Sequence, residues 1–238
     1  MGLKEIFSDS IRYPFADVSK FIIIGILAMI AAMSGILTNY KVDGAVMAIA
    51  GIVSFIAGLA ICGYGVSVIK TGIEKSGDVP DIDFADNILN GVKVLIINVI
   101  YFVIPLFIVI ILAVLSTMGL LVDDYVFLGL GVTVIAVAVI LYLLFAVMDY
   151  VAIARFAKTG EFSDALALKE VLVDIKGIGI LKIIGFVVVL FVLMVIIAAV
   201  MGIIAMIPYV GAVISAFVGA AYLIFLTNRS LGLLYGDS

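Results

Sequence analysis

Six long apolar runs constrain this chain more than any other feature. They cover residues 21–37, 45–69, 92–118, 126–148, 178–207 and 210–226, and Lys93 and Lys182 are the only charged residues inside them. A hydrocarbon core of about 30 Å is crossed by about 20 helical residues. The runs therefore predict an all-α integral membrane protein, with six transmembrane helices forming a single domain over residues 1–238.

The overall composition also indicates a membrane protein. Hydrophobic residues make up 66% of the chain and charged residues 13%, and the mean hydropathy is +1.45. A soluble domain has about 45–50% apolar and about 25% charged residues. A soluble core could not hide this excess, so we expect a bilayer to solvate most of the surface.

The residue types limit the chemistry. The chain has no histidine, which removes the commonest general base and a common metal ligand. Its one cysteine, Cys62, lies inside an apolar run, so we expect no disulfide. We expect no enzyme activity, no cofactor and no metal. Because no basic cluster is present, we also expect no nucleic-acid partner.

The basic residues orient the runs. Every lysine and arginine except Lys41 falls on the side that holds both ends of the chain. The other side consists of short turns, including one at Asp123. By the positive-inside rule, this asymmetry predicts a multi-pass protein of the cytoplasmic membrane with cytoplasmic N- and C-termini.

Polar, amphipathic stretches precede the odd-numbered runs. One face of the first stretch carries apolar or small residues, and so does one face of the stretch within residues 149–176. These faces consist of Leu3, Ile6, Phe7, Ser10 and Ile11, and of Ala165, Leu168, Leu172 and Ile175. Such faces are typical of helices that lie in the membrane interface.

Short similarities suggest an internal repeat. Phe-Ala-Asp occurs at residues 15–17 and 84–86, and Phe-Ser-Asp occurs at 162–164. A lysine then opens each following run, at Lys20, Lys93 and Lys182. The pattern predicts three parallel hairpins, each preceded by a cytoplasmic interfacial helix.

An acid-rich loop separates the second and third runs. Its aspartates are Asp78, Asp81, Asp83 and Asp86. A calcium-binding EF-hand loop would also need a central glycine and a distal glutamate, which are missing. We interpret the loop as a helix start, with Asp81 or Asp83 as the N-cap. Asp81, Asp83 and Asp86 remain candidate contacts for a ligand or partner.

Two further polar residues lie in or beside the runs. Asn98 could hydrogen-bond to a neighbouring helix or to a ligand headgroup. Asp149 ends the fourth run, where we expect it to pair with a basic residue. Both are candidate ligand or partner contacts. In the last run, Gly211, Ser215 and Gly219 form a ladder of small residues that favours close helix packing.

Several of these residues resemble those of a known family. They are Arg12, Tyr13, Pro14, Phe15, Gly63, Tyr64, Ile69, Gly72, Pro80, Phe84, Gly91, Lys93, Tyr101 and Pro105. Together they resemble the domain of unknown function 4013, a family of multi-spanning membrane proteins found mainly in methanogenic archaea. The resemblance implies an archaeal cytoplasmic membrane, and it brings no catalytic or binding residue with it.

The leading functional hypothesis is a non-enzymatic membrane protein. Its cytoplasmic interfacial helices would organise membrane lipids or dock a cytoplasmic or membrane protein. The alternative is a transporter or channel for a small apolar or lipidic solute passing near Asn98 and Pro105. A membrane enzyme would require the cytoplasmic acids to hold a metal. The sequence leaves open whether the chain forms a homo-oligomer.

Overall fold

The computed structural model describes residues 1–38, 40, 42–118, 124–208 and 210–237, without the side chains of residues 115–130. The helices are α1 (Leu3–Arg12), α2 (Val18–Leu37), α3 (Gly44–Ile73), α4 (Phe84–Met118), α5 (Asp124–Thr159), α6 (Phe162–Ala165), α7 (Leu168–Ile178), α8 (Ile180–Ala205) and α9 (Gly211–Tyr235). Within the described ranges no strand occurs, and α2, α3, α4, α5, α8 and α9 are long and apolar enough to cross a membrane. This confirms the prediction of an all-helical protein with six candidate spans. Lys41 and Asp123, in the predicted external turns, lie outside the described residues.

Three spans begin at an aspartate. Asp17, Asp43 and Asp83 each precede a span, and one carboxylate oxygen of each accepts a backbone N–H of the first turn, at 3.1, 2.8 and 3.0 Å respectively. An N-cap carboxylate satisfies a backbone donor that has no partner inside the helix. Of the two candidates in the acidic loop, Asp83 is therefore the N-cap of α4.

Two spans continue well beyond their predicted ends. The sequence placed a polar connection at residues 149–176 and a polar tail after residue 226, but α5 continues to Thr159 and α9 to Tyr235. Both extensions contain an arginine whose charge is matched by a distant aspartate. An apolar run ends where polar residues begin. The runs in the sequence therefore could not reveal that these helices continue.

Helix α3 lies at the centre of the bundle and packs against α2, α4, α5 and α9. Glycines permit the closest of these contacts. A Cβ on Gly63 would overlap the backbone carbonyl oxygen of Asn87 in α4, and one on Gly72 would lie 2.9 Å from the Cα of Gly232 in α9. These backbones could not approach so closely with any larger residue.

The small-residue ladder of α9 packs against the preceding span. The Ser215 hydroxyl donates to the carbonyl of Met201 in α8 at 2.8 Å, and a Cβ on Gly219 would lie 2.6 Å from the Met201 Cγ. The ladder coincides with a π-helical turn at Ser215–Ala220. The partner of the ladder is thus a helix of the same chain.

The predicted apolar face of the second amphipathic stretch lies only partly against the rest of the protein. Ala165 and Ile175 are buried, but Leu168 and Leu172 are 38% and 41% exposed, and Val171 is buried instead. The helix also breaks within this stretch. Ala165 ends the short α6, and α7 starts afresh at residue 168, so the two segments do not share one helical period.

The three similar triplets occupy different positions in the structure. Asp17 is the N-cap of α2, Asp86 lies inside the first turn of α4, and Asp164 lies in α6, well before α8 begins. Lys20 and Lys182 do lie at matching places, each as the third residue of its span. The triplets therefore do not mark equivalent positions.

The buried residues are concentrated in the half of the bundle that holds both chain ends. Within α3, α5 and α9 most of them fall in the second half, and within α4 and α8 most fall in the first half. In the opposite halves, large apolar residues such as Phe107, Ile140 and Ile203 are exposed. Exposed apolar side chains on spanning helices are the surface expected to face lipid.

The α3–α4 contact leads to a test with a matched control. Gly63→Ala should lower the free energy of unfolding by about 1–3 kcal/mol, because the new methyl group forces the helices apart. Gly58→Ala, in the same helix, adds a methyl group with no atom within 4 Å and should be neutral or slightly stabilising. Thermal unfolding in one detergent would measure both changes, and equal midpoints for the two variants would contradict the close contact.

Candidate functional site

Arg229 lies near the end of α9 and is only 2% exposed. Its Nε donates to Asp9 Oδ1 of α1 at 2.7 Å, and its Nη1 donates to the carbonyls of Thr71 at 3.1 Å and Ser76 at 2.6 Å. The guanidinium carbon lies 4.4 Å from the ring centroid of Tyr13. A buried charge is tolerated only when it is paired and hydrogen-bonded. We call Arg229 and these four partners the arginine cluster.

The acidic loop is tied to the rest of the protein through its backbone. The carbonyls of three successive residues, 78–80, each accept a hydrogen bond from a side chain: from the Tyr13 hydroxyl at 2.8 Å, the Lys20 ammonium at 2.6 Å and the Tyr64 hydroxyl at 3.2 Å. Burial raises the pKa of Tyr13, so this hydroxyl stays a donor. The loop conformation is therefore set by side chains from α3, from α2 and from the turn before α2.

The candidate aspartates of this loop have separate structural roles. Asp81 Oδ1 lies 2.8 Å from the Lys20 ammonium, and this hydrogen bond holds the pKa of Asp81 below its usual value. Asp83 caps α4, and Asp86 is exposed in the first turn. No group of three possible metal ligands occurs among the described residues. The geometry thus supports the helix-start interpretation, and it gives these aspartates no common site.

A second ion-pair group joins the two ends of the chain. Asp237 binds the Lys182 ammonium at 2.7 Å and the Met1 amine at 2.6 Å, and the Lys75 ammonium lies 3.6 Å away. These cations hold the pKa of Asp237 well below its ordinary value. Both chain ends therefore lie at the same end of the bundle.

Asn98 and Asp149 face each other between α4 and α5. With the Asn98 amide oriented so that its nitrogen faces the carboxylate, that nitrogen donates to the two Asp149 oxygens at 3.1 and 3.0 Å; this orientation is assigned from the hydrogen bonding. Beside the pair lies a groove of about 500 Å³. We call it the α4–α5 groove. Besides Asn98 and Asp149 it is lined by Val99, Tyr101, Phe102, Val103, Tyr142, Phe145 and Ala146.

The prediction that Asp149 pairs with a basic residue is wrong. We expected a basic residue, but none of the ion pairs between described residues includes Asp149, and its hydrogen-bond partner is the neutral Asn98. The reason lies along the helix. Arg155, the first basic residue after Asp149, is turned toward α7, where its Nη1 donates to Asp174 at 2.9 Å.

A second groove lies where α1 crosses α8. It measures about 540 Å³ and is lined by Leu3, Lys4, Phe7, Ser8, Ile11, Arg12 and Val189. The rings of Phe7 and Phe186 stack at 5.3 Å and hold α1 against α8. Lys4 and Arg12 are exposed, and neither forms an ion pair in the part of the chain that the structure describes. We call this the α1–α8 groove.

The family model for a protein of unknown function, DUF4013, matches residues 46–209. The chain belongs to the DUF4013 family. The match runs from near the start of α3 to just past the end of α8, so Arg12, Tyr13, Pro14 and Phe15, which contributed to the resemblance, lie outside it. No match was found among curated proteins or among solved structures.

The DUF4013 match covers the α4–α5 groove and part of the arginine cluster. Asn98 and Asp149 lie inside it, as do Thr71 and Ser76, whereas Asp9 and Arg229 lie outside. Of the five candidate residues predicted from sequence, the structure brings together only Asn98 and Asp149. Sequence reasoning missed the roles of Arg229 and Asp237. A lone arginine following an apolar run was the available signal for the first.

The arginine cluster should be energetically coupled. Asp9→Asn removes the charge that matches Arg229 and should cost about 1.5–3 kcal/mol, the range for hydrogen bonds to charged groups. Glu74→Gln, at an exposed carboxylate that forms no ion pair within the described ranges, should change stability by less than about 0.5 kcal/mol. Thermal unfolding in detergent would measure both. In the Arg229→Gln variant, Asp9→Asn should then cost less stability than it does in the wild type. Equal costs in the two backgrounds would refute the coupling.

The low pKa of Asp237 predicts a loss of stability in acid. The unfolded chain binds this proton more readily than the folded chain, so the stabilisation is complete above the unfolded pKa of about 3.9 and is lost as pH falls through the folded value. The unfolding temperature should therefore drop below about pH 4. Asp237→Asn should start lower at pH 6 and show a smaller drop. An equal drop in both proteins would contradict this role.

Proposed function

We propose that this DUF4013 protein is a non-enzymatic membrane protein that binds anionic lipid headgroups at its cytoplasmic side. The single observation that carries the proposal is the α1–α8 groove. Lys4 and Arg12 are unpaired within the described chain and lie on one edge of α1, and Val189 of a candidate span forms the adjoining wall. Basic residues beside an apolar surface suit a lipid phosphate above its acyl chain.

The proposal includes a topology. The candidate spans would form three parallel hairpins, α2–α3, α4–α5 and α8–α9, and α1 and α7 would lie in the interface. Both termini would be cytoplasmic, in an archaeal cytoplasmic membrane. The charge asymmetry of the sequence supports this orientation. The ion pair between the Met1 amine and Asp237 supports placing the two ends on one side.

The hypothesis drawn from the sequence also includes docking of a protein partner through the interfacial helices α1 and α7. Leu168, Leu172 and Val173 of α7 are exposed and offer an apolar strip. On a helix in the interface, such a strip contacts lipid without needing a protein partner. The strip on α7 therefore needs no protein partner, and the anionic headgroup site is assigned to α1.

Transport of a small apolar or lipidic solute remains the alternative. The observation in its favour is the α4–α5 groove, which lies at Asn98. Pro105, the other residue assigned to that pathway, is buried in α4 and does not line the groove. A solute path between the two has less support than a lipid site at the α1–α8 groove.

Removal of the two α1 charges tests the lipid proposal. Each basic residue near an anionic surface contributes about 1 kcal/mol, so Lys4→Gln with Arg12→Gln should reduce the preference for phosphatidylglycerol over phosphatidylcholine about thirtyfold. Native mass spectrometry of protein released from mixed nanodiscs would count the retained lipids of each kind.

The matched control removes the same charge from another helix. Lys169→Gln with Lys176→Gln changes two exposed lysines of α7 and should leave most of the preference intact. If both double variants lose the preference equally, the effect is one of net charge, and the assignment to the α1–α8 groove fails.

A further inference from the structure

The carboxylate of Asp149 lacks a matching cation in the described structure. The basic residues on the nearby turns of α4 and α5 are all engaged elsewhere. The Lys93 ammonium lies 5.5 Å from the ring centroid of Phe156, Arg155 binds Asp174 at 2.9 Å, and the Lys158 ammonium lies 5.3 Å from the ring centroid of Tyr235. The charge of Asp149 is therefore not balanced by these residues.

The neutral donors around Asp149 are also few. Asn98 supplies one amide nitrogen, whereas the hydroxyl of Tyr101, which lines the same groove, donates to the carbonyl of Ala165 at 2.8 Å. Asp149 lies within a candidate span, where an ionised carboxylate is costly unless a partner or water balances it. This imbalance favours the entry of a positively charged ligand.

The walls of the groove indicate what kind of cation would fit. Two pairs of aromatic rings contribute to the lining, Phe102 with Tyr142 at 5.6 Å between centroids and Tyr101 with Phe145 at 6.4 Å. Calcium requires six to eight oxygen ligands, and magnesium requires six. One carboxylate and one amide cannot supply them. An ammonium group carrying carbon substituents suits aromatic walls, because the ring faces attract the cation and the substituents bury apolar surface.

We propose that the α4–α5 groove binds an organic ammonium group, with the Asp149 carboxylate as its counter-ion and the ring of Phe102 against its substituents. Asn98 is a positioning residue that holds the carboxylate toward the groove. Because the ligand has the opposite charge and lies between other helices, this site is independent of lipid binding at the α1–α8 groove. The ammonium group belongs either to a soluble compound or to the headgroup of a lipid that reaches the groove from the bilayer.

The first experiment uses a soluble probe. The affinity of full-length protein in phosphatidylglycerol nanodiscs for tetramethylammonium is measured by titration with its chloride salt. Sodium chloride at equal ionic strength is the reference. Asp149→Asn keeps the shape of the side chain and its hydrogen bond to the Asn98 side chain, and should weaken binding about thirtyfold or more. Phe102→Leu keeps an apolar wall without the ring and should weaken binding about two- to fivefold. Asp86→Asn, on the exposed first turn of α4, should bind like the wild type.

The second experiment identifies the source of the ammonium group. Native mass spectrometry after exchange into equal mixtures of phosphatidylethanolamine and phosphatidylglycerol reports which lipid remains bound. Retention of phosphatidylethanolamine that Asp149→Asn abolishes assigns the site to a lipid headgroup. Binding of tetramethylammonium alone, with the same dependence on Asp149, assigns it to a soluble compound. If neither probe binds in an Asp149-dependent way, while the unfolding temperatures of wild type and variant agree, the proposal is overturned.

Discussion

The buried guanidinium of Arg229 is the interaction on which the packed half of this protein depends. Its ligands come from three parts of the chain: the Asp9 carboxylate in α1, the Tyr13 ring in the following turn, and the carbonyls of Thr71 and Ser76 at the end of α3. An arginine buried at the end of a spanning helix is stable only if such partners are all present. One side chain therefore fixes α1 and the end of α3 against α9. The close contact between Gly72 and Gly232 brings the two backbones near enough for this to occur.

The same constraint extends to the acidic loop and, through it, to α4. The loop begins directly after the arginine cluster, and its carbonyls at residues 78–80 are held by side chains from α3, from α2 and from the turn before it. Asp83 then caps α4 at a fixed position. With the start of α4 set, Gly63 and Asn87 pack in register, and Asn98 is carried to the level of Asp149. Loop anchoring thus positions the α4–α5 groove, although no loop residue lines it.

The sequence predicted those features that depend on local pattern. Apolar runs indicated the six candidate spans, and the aspartate before α4 indicated its N-cap. It could not predict where α5 and α9 end, because both helices continue through charged residues matched by distant aspartates, Asp174 for Arg155 and Asp9 for Arg229. A hydropathy scale gives each charged residue the transfer cost of an unpaired charge. The Asn98–Asp149 contact could not be predicted either, because the two residues are far apart in the sequence and only helix packing brings them together.

Three cations near the ends of the candidate spans contrast with Asp149. Lys20, Lys182 and Arg229 are paired with aspartates, and each pair ties a span to a loop, to a chain end or to α1. These charges cost little because the protein itself neutralises them, and their role is to hold the bundle together. Asp149 differs, since the structure provides it with a neutral amide and aromatic walls. A carboxylate that borders a groove and has only a neutral partner is an expected position for function in a folded chain. The contrast with three well-paired cations in the same bundle therefore favours the α4–α5 groove as a binding site over a packing defect.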